Sequence, residues 1–196
     1  MISAIILAAG ESKRMGQPKM LLPWGSETVL SHVVAVFRNA GIGDICVITG
    51  GAREQVENLV ATLGVKSVYN EEYANGEMLS SIQCGIRSLP FQTQGMLIGL
   101  GDQPQVQEGS VQKVCESYRE SKSNIVVPSY QMRRGHPWLV ARPLWDGLLK
   151  IKSPRSPRDF LNDHADQIQY VNLDDPYILA DLDTPDDYKK WTSNNL

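Results

Sequence analysis

Residues 2–23 read ISAIILAAGESKRMGQPKMLLP. The first eight are apolar or small, as in a strand buried on both faces. The chain then breaks into a loop holding Gly10, Lys13, Arg14, Gly16 and Lys19. An apolar strand that ends in a glycine loop with cations marks the ligand edge of an open α/β sheet. Glycine lets backbone N–H groups approach an anion. Arg14 can fork onto phosphate oxygens, and Lys19 can act as a point charge. The loop is not a Walker A motif: five residues separate Gly10 from Gly16, and no Ser or Thr follows Lys19. Nor does it read GxGxxG.

Outward from this loop, Val- and Ile-rich runs alternate with helical patterns. TVLSHVVAVFRNAG (28–41) predicts a helix stopped by Gly41, and AREQVENLVATLG (52–64) one stopped by Gly64. DICVITG (44–50), VKSVYN (65–70), QGMLIGLGDQP (94–104) and NIVVPSY (124–130) predict strands. EMLSSIQCGIRSL (77–89) and GSVQKVCESYRES (109–121) predict helices between them. This βαβ order predicts an α/β fold with a doubly wound, mainly parallel sheet, and the length suits one domain over residues 1–196. Further on, QMRRGHPWLV reads as a loop entering a strand, PLWDGLLKI and PRDFLNDHA as helices, and IQYVNL as a strand. ADLDTPDDYKKW reads as a strand end, then a helix capped by Thr184 with Pro185 in its first turn.

The net charge of −3 gives no general basic field for nucleic acid, so a phosphate site must be local. No apolar run approaches the ~20 residues that span a bilayer, and the N-terminus lacks a basic signal-peptide region, so a cytoplasmic protein is expected. Cys46, Cys84 and Cys115 show no metal-ligand spacing and are expected to be buried reduced thiols.

Three other motifs carry chemistry. In LIGLGDQP, Asp102 directly follows an apolar strand, which puts it at the same sheet edge as the glycine loop. In LADLDTPDDY, Asp181 and Asp183 alternate, so extended chain points both to one side. Few carboxylates completed by substrate phosphates suit Mg²⁺; helix capping is the simpler role for Asp183. In RRGHP, Arg134 and His136 suit an anionic or heteroaromatic ligand, or merely a solvated turn. Ser80 and Ser81 fall in the first turns of a helix at the ligand edge. His32 and His164 read as structural.

LAAGESKRMGQPK, GDQP, RRGHP and DLDTPDDY together resemble the molybdenum cofactor nucleotidyltransferases, on the cytidylyltransferase branch, over nearly the full length. The resemblance implies a Rossmann-like nucleotidyltransferase fold. It implies transfer of CMP from CTP to the phosphate of molybdenum-bearing molybdopterin, for enzymes of the xanthine dehydrogenase type. By position, Leu7, Ala8, Ala9 and Gly10 would contact base and ribose. Arg14 and Lys19 would hold the triphosphate, and Asp102, with Asp181 or Asp183, would bind Mg²⁺. Ser80, Ser81, Arg134 and His136 would face the acceptor, and a molybdenum hydroxylase apoenzyme would be a partner. LAAG rather than LAGG, with MLLP at 20–23, resembles the cytidine branch rather than the guanosine one. Two rival readings stay open: another phosphorylated acceptor, or a non-catalytic delivery factor for the cofactor.

Overall fold

The structure, a computed structural model, describes residues 1–195. The first strand, β1 (Ile2–Ala8), leads through the glycine loop into a two-stranded hairpin, β2 (Pro23–Trp24) and β3 (Glu27–Thr28). The helix α1 (Val29–Asn39) follows, capped by Thr28, whose side chain accepts from the Ser31 N–H at 3.2 Å. Next come β4 (Ile45–Thr49), α2 (Arg53–Thr62), β5 (Lys66–Tyr69), α3 (Glu77–Ser88) and β6 (Gly95–Leu100). Then α4 (Glu108–Ser121), β7 (Ile125–Tyr130), β8 (Arg133–Arg134) and β9 (Trp138–Ala141) follow. The chain finishes with α5 (Trp145–Lys150), α6 (Pro157–Asp163), β10 (Ile168–Asn172) and α7 (Pro185–Asn195). Gly41 and Gly64 stop α1 and α2 with φ of 90° and 63°, a conformation that costs glycine little.

The main sheet runs β10-β7-β9-β6-β1-β4-β5, with β8 paired to β7. All its neighbours along that path are parallel except around β9, which is antiparallel to both β6 and β7. The fold is thus α/β, Rossmann-like and mainly parallel, as the strand–helix alternation predicts. The reversal of β9 positions a motif. Its beginning, not its end, lies at the edge where the parallel strands finish, so the RRGHP segment reaches the glycine-loop edge.

Both faces of the sheet are covered. Ala4, Ile6 and Ala8 of β1 pack with α1, α2 and α4, while Ile5 and Leu7 pack with α3, α5 and α6. This is why β1 reads as an unbroken apolar run rather than an alternating one. A third cluster joins Met15, Leu22, Trp24, Val29 and Leu182, with Tyr188 and Trp191 of α7 against it. Tyr188 also donates its hydroxyl to the Pro23 carbonyl at 2.6 Å.

Two expectations need correction. The tail segment 180–183 is not a strand end; it is irregular chain, tied by the Leu182 N–H to the Asp102 carbonyl at 3.1 Å. Leu182 is fully buried, and Asp181 and Asp183 on either side of it take different partners, Gln103 and the Lys19–Arg14 pair. Cys46 and Cys115 are buried thiols as expected, but Cys84 is only partly buried. Thr184 does cap α7: its hydroxyl accepts from the Asp187 N–H at 3.2 Å, and Asp187 accepts from the Thr184 N–H at 2.8 Å.

Candidate active site

The glycine loop folds back on itself through Ser12. This residue has φ of 54°, and its carbonyl accepts from the Met15 and Gly16 N–H groups at 2.9 and 3.2 Å. Its hydroxyl accepts from the Lys19 N–H at 3.1 Å. The fold-back carries Lys19 into a buried position beneath the loop, while Arg14 stays exposed. Behind the loop, the Ala9 carbonyl accepts from Gly51 N–H at 3.1 Å. A Cβ at Gly50 would lie 2.4 Å from that same carbonyl, so only glycine lets the end of β4 come this close.

Lys19 then reaches the end of β6. Its ammonium pairs with Asp102 Oδ2 and lies 3.4 Å from Asp183 Oδ1. Arg14 Nη2 lies 3.0 Å from the other Asp183 oxygen. Two cations thus match two carboxylates. Burial alone lowers the Lys19 pKa, but Asp102 and then Asp183 outweigh it, and the net shift is upward. Lys19 is therefore an ammonium at neutral pH. Asp181 sits apart from this quartet, accepting from the Gln103 amide at 2.6 Å. Desolvation of its carboxyl raises the Asp181 pKa, and Asp102 and Asp183 push the same way. The residue as a whole is exposed, so the carboxylate neighbours are the firmer cause.

The donor set fits a hard cation. Two carboxylates already converge on one positive charge, the Lys19 ammonium. Among the described residues no three His, Cys, Asp or Glu side chains converge. A divalent ion here would draw its remaining ligands from substrate oxygens and water, as Mg²⁺ does beside phosphates.

Two adjoining cavities surround these groups. One, of about 260 Å³, is lined by Leu7, Ala9, Gly10, Ser81, Leu100 and Asp102 among others. The other, of about 270 Å³, is lined by Gly10, Arg14, Lys19 and Asp183 among others. Gly10 and Lys19 belong to both. Ala8 differs from its neighbours, since its side chain packs in the core. Ser81 lines the cavity of the glycine loop. Ser80 turns away, accepting from Asn70 at 2.8 Å and donating to the Glu77 carbonyl.

Arg134 and His136 also part company. Arg134 donates to the Tyr170 hydroxyl at 2.9 Å and to Asn162 at 2.7 Å. His136 is partly buried and stacks on Trp138 with ring centres 4.4 Å apart. Burial pushes its pKa down to about 4, against the opposing effect of the Ile98 carbonyl. It is therefore a neutral imidazole at physiological pH. His32 and His164 lie elsewhere: His164 hydrogen-bonds its own helix at Phe160, 2.8 Å away, and His32 neighbours Glu27. Sequence reasoning missed Gly50, Gly51 and Gln103. The paired glycines after a strand were the available signal for the first two; Gln103 had none beyond its place beside Asp102.

The chain is similar to known nucleotidyltransferases. The molybdenum cofactor cytidylyltransferase of Escherichia coli K12 is 29% identical over 192 residues, covering 95% of this chain and 93% of its own. The structure of Rv0371c from Mycobacterium tuberculosis H37Rv superposes with a TM-score of 0.85 at 28% identity, covering 98% of this chain and 97% of that one. A structure of Rv0371c in complex with manganese superposes with a TM-score of 0.83 at 26% identity, covering 98% of each chain. No helix among the described residues is long and apolar enough to cross a membrane. The MobA-like NTP transferase domain matches residues 4–168, and with the loop, the cations and Asp102 in place the chain belongs to that family of nucleotidyltransferases.

Proposed function

We propose that this chain is a single-domain cytidylyltransferase that moves CMP from CTP to the phosphate of molybdopterin carrying molybdenum. The observation that carries the reading is the quartet of Arg14, Lys19, Asp102 and Asp183 at the mouth of the glycine loop. The similarity to the Escherichia coli cytidylyltransferase supports the choice of acceptor and nucleotide. The product would be a cytosine dinucleotide form of the cofactor, for enzymes of the xanthine dehydrogenase type.

In this reading an acceptor phosphate oxygen forms a bond to the α-phosphorus of CTP. The bond from that phosphorus to the bridging oxygen breaks, and pyrophosphate leaves. A phosphate monoester has a second pKa of ~6, so the attacking oxygen is already anionic at neutral pH and no protein base is needed. What remains is to bring two anions together and to stabilise charge on the leaving group. Arg14 and Lys19 would leave their carboxylate partners and turn to the triphosphate. Asp102 and Asp183 would then hold a divalent cation, Mg²⁺ in the cell; a manganese complex is known for the similar Rv0371c. Bound there, the ion would supply Lewis acidity to the phosphate oxygens.

Leu7, Ala9, Gly10 and Ser81 line one cavity, which suits base and ribose. Ser81 is thereby reassigned from acceptor to nucleotide. His136, neutral, would meet the acceptor as a hydrogen-bonding group rather than as a cation. Pyrophosphate release tests the whole reading, measured with CTP, GTP and ATP against molybdopterin and against sugar phosphates. Preference for CTP with molybdopterin is expected. Preference for GTP removes the cytidine assignment, and turnover of a sugar phosphate alone removes the acceptor.

A further inference from the structure

Asn70 is a buried polar residue, 4% exposed, that lines neither of the two cavities at the quartet. It directly follows β5, and its N–H donates to the Thr49 carbonyl at the end of β4, 2.9 Å away. Its side-chain oxygen accepts from the Glu72 N–H at 3.1 Å. A backbone N–H can only donate, so that contact fixes which end of the amide is the oxygen. The amide nitrogen then has two hydrogens to give. They go to Ser80 Oγ at 2.8 Å and to Ser81 Oγ at 3.1 Å.

Those bonds replace an ordinary helix cap. Gly76 stands at the N-cap of α3 with no side chain to offer, and Glu77, the first helical residue, has φ of 50°. That backbone region disfavours a residue with a Cβ, so the turn must be held by its surroundings. Asn70 supplies much of the hold. Its carbonyl accepts from the Tyr73 N–H at 3.2 Å, and Ser80, which it fixes, donates to the Glu77 carbonyl at 3.1 Å. Tyr73, Glu77 and Ser81 all line the glycine-loop cavity. One buried side chain, with its own carbonyl, thus ties three of the lining residues together.

The polarity of these bonds matters as much as their number. A serine hydroxyl has one hydrogen. Ser80 gives its own to the Glu77 carbonyl. Ser81 accepts from Asn70, and among the described residues no acceptor takes its hydrogen. Ser81 is 4% exposed and lines the cavity, so its hydroxyl is left as a donor for what fills that space. We infer that Asn70 is a positioning residue for the nucleotide: it touches no substrate, and it sets Ser81 as a hydrogen-bond donor toward an acceptor atom of the base. The inference rests on the proposed place of the nucleotide in this cavity and deepens it.

The test is calorimetric titration of the full chain with CTP and Mg²⁺. It compares wild type with Asn70→Asp, Asn70→Ala, Ser81→Ala and the double variants N70D/S81A and N70A/S81A. Asn70→Asp keeps the size of the side chain and the bond from the Glu72 N–H, but puts a second acceptor where the amide donated. The Ser81 hydrogen then turns to that carboxylate and away from the cavity. Asn70→Asp and Ser81→Ala should each weaken CTP binding by about ten-fold, the worth of one hydrogen bond. In N70D/S81A the two losses should not add, since the first acts through a hydroxyl that the second removes. Asn70→Ala, which adds no charge, should also weaken CTP binding, again only where Ser81 keeps its hydroxyl. In turnover, Asn70→Asp should raise KM for CTP and leave kcat within about two-fold of wild type. Fully additive losses, or unchanged CTP affinity in both Asn70 variants at the wild-type melting temperature, overturn the inference. Wild type that binds CTP with this coupling but releases no pyrophosphate overturns the catalytic reading and leaves Asn70 standing. Wild type that binds no CTP overturns both.

Discussion

The Lys19 ammonium donates to the Asp102 carboxylate across 83 positions of sequence, and the same ammonium stands near Asp183. A cation thus already occupies the place between the two proposed metal ligands. Metal arriving alone must displace it; metal arriving with a triphosphate need not, because the phosphates attract the lysine. Metal and nucleotide should therefore bind synergistically. Mn²⁺ titrations followed by electron paramagnetic resonance should show tighter binding with CTP present. Lys19→Met should bind Mn²⁺ about ten-fold tighter without nucleotide, since removing one charge at ~4 Å is worth several kcal/mol before screening. Equal Mn²⁺ affinity in wild type and variant rules this coupling out.

The two tail aspartates should separate cleanly. Asp183 faces Lys19 and Arg14, whereas Asp181 faces Gln103. Asp183→Asn should lower kcat/KM by about 100-fold or more, the scale of a lost contribution to metal-assisted charge stabilisation. Asp181→Asn should cost less than about ten-fold. Steady-state kinetics decide it, and a larger loss at Asp181 would reverse the assignment.

The loop proposed to meet the base is held from behind. A Cβ added at Gly50 would lie 2.4 Å from the Ala9 carbonyl. Gly50→Ala should push that backbone into the cavity and cost about 1–3 kcal/mol of stability, as overpacking does. CTP affinity should fall with it. Ala9→Gly removes a methyl from a residue that lines the cavity. It should erode the preference for CTP over GTP, which a methyl-sized difference sets at roughly 10–200-fold. Unchanged CTP affinity in a folded Gly50→Ala protein would show that the contact does not shape the site.

His136 makes stability acid-sensitive. Its folded-state pKa is about 4 against an ordinary 6.5. Between those values the unfolded chain binds the proton and the folded chain resists it. The contribution is therefore full above pH 6.5 and is lost as pH falls toward 4. From those two values the loss between pH 7 and pH 5 is about 2 kcal/mol. Urea unfolding at both pH values should show His136→Gln losing less stability than wild type over that interval. An identical loss would mean that the imidazole titrates normally.

Much of the site was legible because its chemistry stands at strand ends. The run ISAIILAA flows into the loop, and LIGLG into Asp102, so the alternation of strands and helices alone puts both at one edge. What stayed hidden depends on direction or on rotation about an axis. Ser80 and Ser81 are adjacent, and a helix turns ~100° between such neighbours; only the packing of α3 shows that Ser81 faces the cavity. Arg134 and His136 share a loop, yet the reversal of β9 sends one toward Tyr170 and the other toward Ile98. The segment around Asp181 and Asp183 mimics a strand by alternation. It is instead anchored by the single buried side chain of Leu182, and alternation alone cannot tell the two apart.

That anchor has a consequence in time. The stretch matched by the family profile ends at residue 168, but Asp183 arrives only after the chain has passed β10 and crossed back to the end of β6. During synthesis the sheet core and the glycine loop emerge first. The proposed catalytic quartet closes last, when Leu182 finds Met15, Leu22 and Trp24. A growing chain can thus hold a folded glycine loop before Asp183 has joined it.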